Sequence, residues 1–144
     1  MAKDLIAHST IHIDAPRAEV WKALVTPEAI AQYMFGTQAV SKWQEGSPIV
    51  WKGEWKGKPY EDKGVILQIK PEQTLQYSHF SPLAGAEDKP ENYHTVTISL
   101  SGKQGGTEVA LTQDKNESEQ AKTEAESNWS TMLKGLKKYT EQGK

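Results

Sequence analysis

Polar and apolar residues take turns at the start of the chain. Leu5, Ala7, Ser9, Ile11 and Ile13 alternate with Ile6, His8, Thr10 and His12, a period of two that predicts a half-buried strand. The pattern changes at Asp14-Ala15-Pro16, an N-cap residue followed by a proline of the kind a first helical turn tolerates. Glu19, Val20, Trp21, Ala23 and Leu24 then read as a short amphipathic helix. Thr26-Pro27-Glu28 repeats the start signal, so a second short helix is predicted with Ile30, Tyr33 and Met34 on its buried side.

Between Gly36 and Asp114 the helical period is gone, and strands follow one another between glycines and prolines. Thr37 to Trp43 is the weakest run. Ile49 to Trp55 and Tyr60 to Ile69 are stronger and flank Lys56-Gly57-Lys58, a hairpin turn by composition. Thr74 to Phe80, Tyr93 to Leu100 and Thr107 to Gln113 bring the set to about seven strands. The connection from Ser81 to Asn92 is long for a hairpin and reads either as a gate or as an ordinary solvent loop.

The helical period returns from Ser118 to Thr140. Trp129, Met132, Leu133, Leu136 and Thr140 recur at three- and four-residue steps, and Ala121 and Ala125 extend the stripe backwards. Lys134, Lys137, Lys138, Glu124 and Glu126 occupy most of the other faces. An antiparallel sheet with one apolar face must cover it, and this helix alone is long enough to do so across several strands. The predicted fold is therefore α+β: a curved antiparallel sheet of six or seven strands wrapped round a long C-terminal helix, with two short helices closing one end. Space left between these layers becomes an interior cavity. Gly135 stands in mid-helix at a cost of about 1 kcal/mol relative to alanine. It marks the close approach of a strand or a ligand, or else tolerated drift.

Composition narrows the class. The 144 residues fit one domain, 1–144, with no repeat or linker dividing it. There is no cysteine, which excludes disulfides and Cys-based zinc sites and suits a reducing compartment. No basic leader with an apolar run opens the chain and no later stretch is long enough to span a bilayer, so a cytoplasmic location is expected. A net charge of -2 with both signs interspersed leaves no electrostatic footprint for nucleic acid or an anionic membrane. Five tryptophans and five tyrosines nevertheless need a core, an interface or a cavity to occupy.

Several blocks match a known pattern in order. Ile13-Asp14-Ala15-Pro16-Arg17-Ala18-Glu19-Val20-Trp21-Lys22-Ala23-Leu24-Val25-Thr26-Pro27-Glu28 is the specific one. Gly64-Val65-Ile66-Leu67, Leu75-Gln76-Tyr77, Thr107-Glu108-Val109-Ala110-Leu111-Thr112 and Trp129-Ser130-Thr131-Met132-Leu133 follow it. Together they resemble the activator of heat-shock protein 90 ATPase homologue family of the START-like, polyketide-cyclase-like (SRPBCC) superfamily, over nearly the whole chain. The resemblance implies a helix-grip fold and a deep cavity of the kind that holds lipids, polyketides or flavonoid-like aromatics. Two positions depart from the family pattern, Asn128 where glycine is frequent and Tyr33 where tryptophan is, and both are expected to alter the cavity rim. The eukaryotic co-chaperone of the family carries a further N-terminal domain for chaperone binding, which has no counterpart among these blocks.

The histidines are the first candidates for chemistry. His8 and His12 are four apart on a strand, a span of about 13 Å, too far for one ion with bonds of about 2 Å; they are expected at the surface. His79 and His94 share the parity of their strands' apolar residues and point inward, as cavity-lining polar groups or as satisfied structural histidines, with catalysis or metal binding as a further use. No Gly-x-Ser-x-Gly, His-Glu-x-x-His or phosphate-cradling glycine loop occurs, so the residues support neither a catalytic set nor a cofactor. Trp51, Trp55, Tyr77, Trp129 and Met132 offer planar surfaces and an adaptable thioether, the materials of a pocket wall and equally of a core. The leading expectation is non-covalent binding of a small hydrophobic molecule by these residues with His79 and His94. The alternatives are a chaperone-associated regulator of an ATPase and a cyclase or hydrolase acting on a polyketide-like substrate.

Overall fold

The computed structural model of the chain describes residues 5–34, 36–55, 57–80, 89, 92–116 and 118–142, without the side chain of Trp55. Seven strands, β1 (Ala7–Ile13), β2 (Gln38–Ser41), β3 (Pro48–Trp55), β4 (Lys58–Lys70), β5 (Thr74–His79), β6 (His94–Lys103) and β7 (Gly106–Gln113), form one antiparallel sheet in the order β1-β7-β6-β5-β4-β3-β2. Three helices, α1 (Arg17–Leu24), α2 (Pro27–Tyr33) and α3 (Glu119–Gln142), complete the fold. Consecutive hairpins carry the chain from β2 to β7, and β1 adds beside β7. The expected curved sheet, long helix and two short helices are all present. The loop from Ser81 to Asn92 and Lys56 of the predicted turn lie outside the described residues, except for Lys89 and Asn92. Trp55 pairs with Lys58, and Gly57 takes a left-handed φ of +80°, as a two-residue hairpin loop requires.

Neither predicted N-cap works through its side chain. α1 starts at Arg17 with Pro16 in the cap position and no side-chain cap bond. The Thr26 hydroxyl turns back to the Lys22 carbonyl instead of capping α2. At α3 the expected start holds: Ser118 Oγ accepts the Ala121 N–H at 3.0 Å.

The sheet bends at β4. A bulge between Ile66 and Gln68 breaks the register with β5 and leaves Leu67 45% exposed on the outer face. Two residues before Ile66, a Cβ on Gly64 would sit 1.7 Å from the Ser78 carbonyl oxygen, so only glycine lets the two backbones approach this closely.

Edge strand β1 is covered by α3, which runs along it. Glu126 accepts the His8 N–H at 3.0 Å, Lys137 donates to the His12 carbonyl at 3.0 Å, and Glu141 accepts the Asp14 N–H at 2.8 Å. These side chains satisfy backbone groups that would otherwise offer an open edge for pairing. Met132, Leu133, Leu136 and Thr140 of the predicted stripe are buried. Leu133 and Leu136 are fully enclosed, each stabilising the fold by about 2 kcal/mol. They join Val20, Leu24, Ile30, Tyr33, Ile66, Leu75, Val109 and Leu111 in one core. Gly135 faces α2, with the Tyr33 carbonyl oxygen 3.1 Å from where a Cβ would stand. The approach is helix to helix, and neither the strand or ligand contact nor the tolerated drift offered for this glycine describes it.

Candidate ligand site

Strand directions divide the layer between sheet and helix into two unlike ends. At one end the C-terminal half of α3 lies over Ile13, Val109 and the short helices, and its inward side chains are buried in the core. At the other end lie the N-terminal half of α3, the end of β5, the start of β6 and the end of β7. There α3 buries nothing fully: Ala121, Ala125 and Trp129 are only half-buried. Polar side chains gather at this second end.

Its inner wall is built by alternation. On β4, Tyr60, Asp62, Gly64 and Ile66 share a face, as Leu75, Tyr77 and His79 do on β5 and His94, Val96 and Ile98 on β6. Trp51 pairs directly with Asp62 across β3 and β4, and His79 pairs directly with His94 across β5 and β6. Trp51, Asp62, His79 and His94 thus make a row across four strands. The Trp51 ring lies 5.0 Å from Tyr77 and 5.1 Å from His79, centroid to centroid, both tilted. His79 Nε2 donates to Asp62 Oδ2 at 3.0 Å, with the two side chains 22% and 20% exposed. The other oxygen, Asp62 Oδ1, is buried with no hydrogen-bond partner among the described residues.

His94 is held differently. Its Nδ1 lies 2.8 Å from the Asp114 carbonyl, which can only accept, so Nδ1 carries a proton. Asp114 in turn accepts the Thr95 N–H at 2.6 Å, which locks the junction after β7. Trp129 Nε1 donates to Gln113 Oε1 at 2.7 Å, so α3 reaches the same end of the sheet through a polar tip on an aromatic body. Burial pushes the Tyr77 phenol far above its ordinary range, keeping it neutral. Tyr33 is raised as well, first by burial and then by Tyr77 and Tyr139, and its hydroxyl donates to the Ala23 carbonyl at 3.0 Å.

Of the expected ligand residues, Trp51, Tyr77, His79 and His94 fall together on the inner wall, while Trp129 of α3 is joined to Gln113 at the end of β7. Met132, Trp51 and Tyr77 are each 6% exposed and belong to one core cluster, so His79 and His94 are the half-buried part of the wall. The side chain of Trp55 lies outside the described residues. His8 is exposed and His12 half-buried on β1, away from this wall. Of the two positions that depart from the family pattern, Asn128 is exposed and Tyr33 is buried beneath Gly135 at the filled end, so Tyr33 is not on the rim of this wall. Asp62 was missed by sequence reasoning. Counting back by twos from Ile66 would have placed it inward, but the unbroken run Val65-Ile66-Leu67 hides which parity is buried.

A separate groove of about 540 Å³ opens on the outside at the filled end, lined by Ala15, Pro16, Glu19, Thr26, Tyr139 and Gln142 among others. None of the six described ligand candidates lines it. Among the described residues no group of three or more His, Asp or Glu gathers as a metal site. Among the described residues no helix is long and apolar enough to cross a membrane.

A sheet gripping a terminal helix, with an aromatic and polar wall facing it, defines a START-like, helix-grip domain. The chain matches the family described as "Activator of Hsp90 ATPase homolog 1-like protein" over residues 14–141 and belongs to it. The solution structure of ChR145 from Cytophaga hutchinsonii is 59% identical, with 99% of this chain and 98% of that one covered and a TM-score of 0.86. Two remoter structures share the fold. DynU16, from the dynemicin biosynthetic locus, is 17% identical, with 99% of this chain and 49% of that one covered and a TM-score of 0.81. The Aha1 dimer from Colwellia psychrerythraea is 20% identical, with 96% and 98% covered and a TM-score of 0.74. No curated protein matches the chain.

Proposed function

We propose that this protein binds a small hydrophobic molecule, aromatic or lipid-like, non-covalently between the sheet and the N-terminal half of α3. One observation carries the reading: the half-buried N-terminal half of the helix lies at the same end of the sheet as a wall that combines the tilted Trp51–Tyr77 ring pair with the Asp62–His79 pair and His94. Apolar and aromatic surface with a few convergent polar groups is the usual make-up of a small-molecule site. The apolar rings supply the binding free energy and the polar groups orient the guest. A place for DynU16 in a biosynthetic locus suits a fold that handles such molecules. A cytoplasmic setting belongs to the same proposal, in keeping with a composition suited to a reducing compartment.

The test is a titration of isotope-labelled protein with a naphthalene-class probe, followed by chemical shifts. Shifts concentrated on Trp51, Tyr77, His94 and Trp129 are expected. Shifts confined to the outer groove around Glu19 and Tyr139, or to scattered surface amides, would refute the proposed location.

A further inference from the structure

The unpartnered oxygen of Asp62 says what kind of guest this wall accepts. Resting on the binding site proposed above, we infer that Asp62 is a specificity residue: the guest is an aromatic molecule whose polar end donates a hydrogen bond to Asp62 Oδ1, and carboxylate-tipped analogues are rejected. A carboxylate has acceptor sites on both oxygens and no donor. Here Oδ2 is occupied by His79 Nε2 at 3.0 Å, while Oδ1 is buried and has no partner among the described residues. Buried polar atoms are nearly always paired, so an acceptor left open in a wall calls for a donor from outside the chain.

The surroundings agree on the sign. His94 has its Nδ1 proton committed to the Asp114 carbonyl and so has no Nδ1 donor to spare for an anionic guest. The adjacent cations on these strands, Lys52 and Lys63, alternate to the opposite face from Trp51 and Asp62 and supply no counter-charge for an anionic guest there. Trp51, the direct cross-strand neighbour of Asp62, sets a planar surface beside the acceptor, with Tyr77 5.0 Å and His79 5.1 Å from it. A guest ring admitted beside Trp51 would have Asp62 as its cross-strand neighbour and Oδ1 as its acceptor. Both a phenolic hydroxyl and an arylmethyl ammonium have the required donor, and both form a charge-assisted bond to a carboxylate.

Four probes with one ring system separate the possibilities: β-naphthol, β-naphthylmethylamine, β-methylnaphthalene and β-naphthoate, each titrated near neutral pH with the Trp51 indole signal as the reporter. At least one donor probe is expected to bind about tenfold or more tightly than β-methylnaphthalene, with β-naphthoate the weakest. Which of the two donors leads tells a hydroxyl guest from an amine guest. Asp62→Asn keeps the shape and removes the charge, so the donor preference should fall to about threefold or less while the β-methylnaphthalene affinity stays within about twofold. Wild-type protein that binds β-methylnaphthalene or β-naphthoate as tightly as both donors overturns the inference and leaves the ligand site standing. A donor preference that survives in folded Asp62→Asn overturns it too. If no probe moves the Trp51 signal, the site itself fails, and the inference with it.

Discussion

Replacing Gly135 by alanine sets two known effects against each other, and the structure decides the sign. In an open helix the change would stabilise by about 1 kcal/mol, because glycine is the poorer helix former. Here the new Cβ would stand 3.1 Å from the Tyr33 carbonyl oxygen and 3.3 Å from the Tyr33 Cβ. Neither neighbour yields easily. Tyr33 is 6% exposed and its hydroxyl is tied to the Ala23 carbonyl at 3.0 Å, so moving it drags α2 against α1. Overpacking of this kind costs about 1–3 kcal/mol, so the net expectation is a loss on the order of 1 kcal/mol. With a urea slope of about 2 kcal/mol per molar, the unfolding midpoint should fall by about 0.5 M with the slope unchanged. Tryptophan fluorescence reports it. Adding Tyr33→Phe cuts the hydroxyl tether and lets α2 give, so the alanine should cost at least about 0.5 kcal/mol less in that background. A single Gly135→Ala variant that gains about 1 kcal/mol would show that α2 does not restrain this position and would refute the packing argument.

Two pH dependences follow from the buried phenols and from the carboxylate on the edge strand. Burial raises the folded-state pKa of Tyr77 above its unfolded value of about 10, so the stability it contributes is intact below that value and declines by about 1.4 kcal/mol per pH unit above it. Tyr77→Phe should therefore lose stability less steeply than wild type between about pH 10 and 11.5; equal slopes in paired denaturation series would mean that Tyr77 ionises freely. At the acid end, the His8 backbone N–H and then Lys122 hold Glu126 below the ordinary carboxylate range. Its contribution is present above the unfolded value of about 4.3 and is lost as pH falls through the lower folded one. The stability gap between wild type and Glu126→Gln should then exist at neutral pH and close in acid. A gap independent of pH would assign the effect to shape and not to charge.

The parts of the fold that were legible in the sequence are those where one period governs an element. The stripe Trp129, Met132, Leu133, Leu136 and Thr140 lies inward on α3, and the alternation in β1 buries Ala7 and Ile13 while exposing His8. The illegible parts are set by contacts distant in sequence. Thr107 looks like a surface threonine, yet it is fully buried because its hydroxyl donates to the Ala15 carbonyl at 2.8 Å, a partner 92 residues away. Asn116 is closed in because its side chain donates to the Leu5 carbonyl at 2.8 Å. For the site, parity alone placed His79 and His94 inward. It could not say that His79 takes Asp62 as its partner, because β4 is apolar on both faces across Val65, Ile66 and Leu67 and then bulges.

The same geometry explains why the open acceptor sits where it does. An unsatisfied buried oxygen weakens a fold by about 1–3 kcal/mol, a sizeable part of the 5–15 kcal/mol that holds a domain together. It is tolerable only where the rest of the structure does not depend on that spot. At the filled end Leu133, Leu136, Val20 and Val109 are fully enclosed, and a defect among them would cost packing in every direction. At the other end α3 is fixed to the sheet by side chains gripping the backbone of β1 and by Trp129 on Gln113, contacts in which Asp62 takes no part. Asp62 stands on the inner wall, on the same strand as the bulge and two residues before Gly64, where β4 already departs from regular pairing. The closed end supplies the stability against which the acceptor at the other end is kept, as expected of a binding residue selected for what it meets in a guest and not for what it contributes to the empty fold.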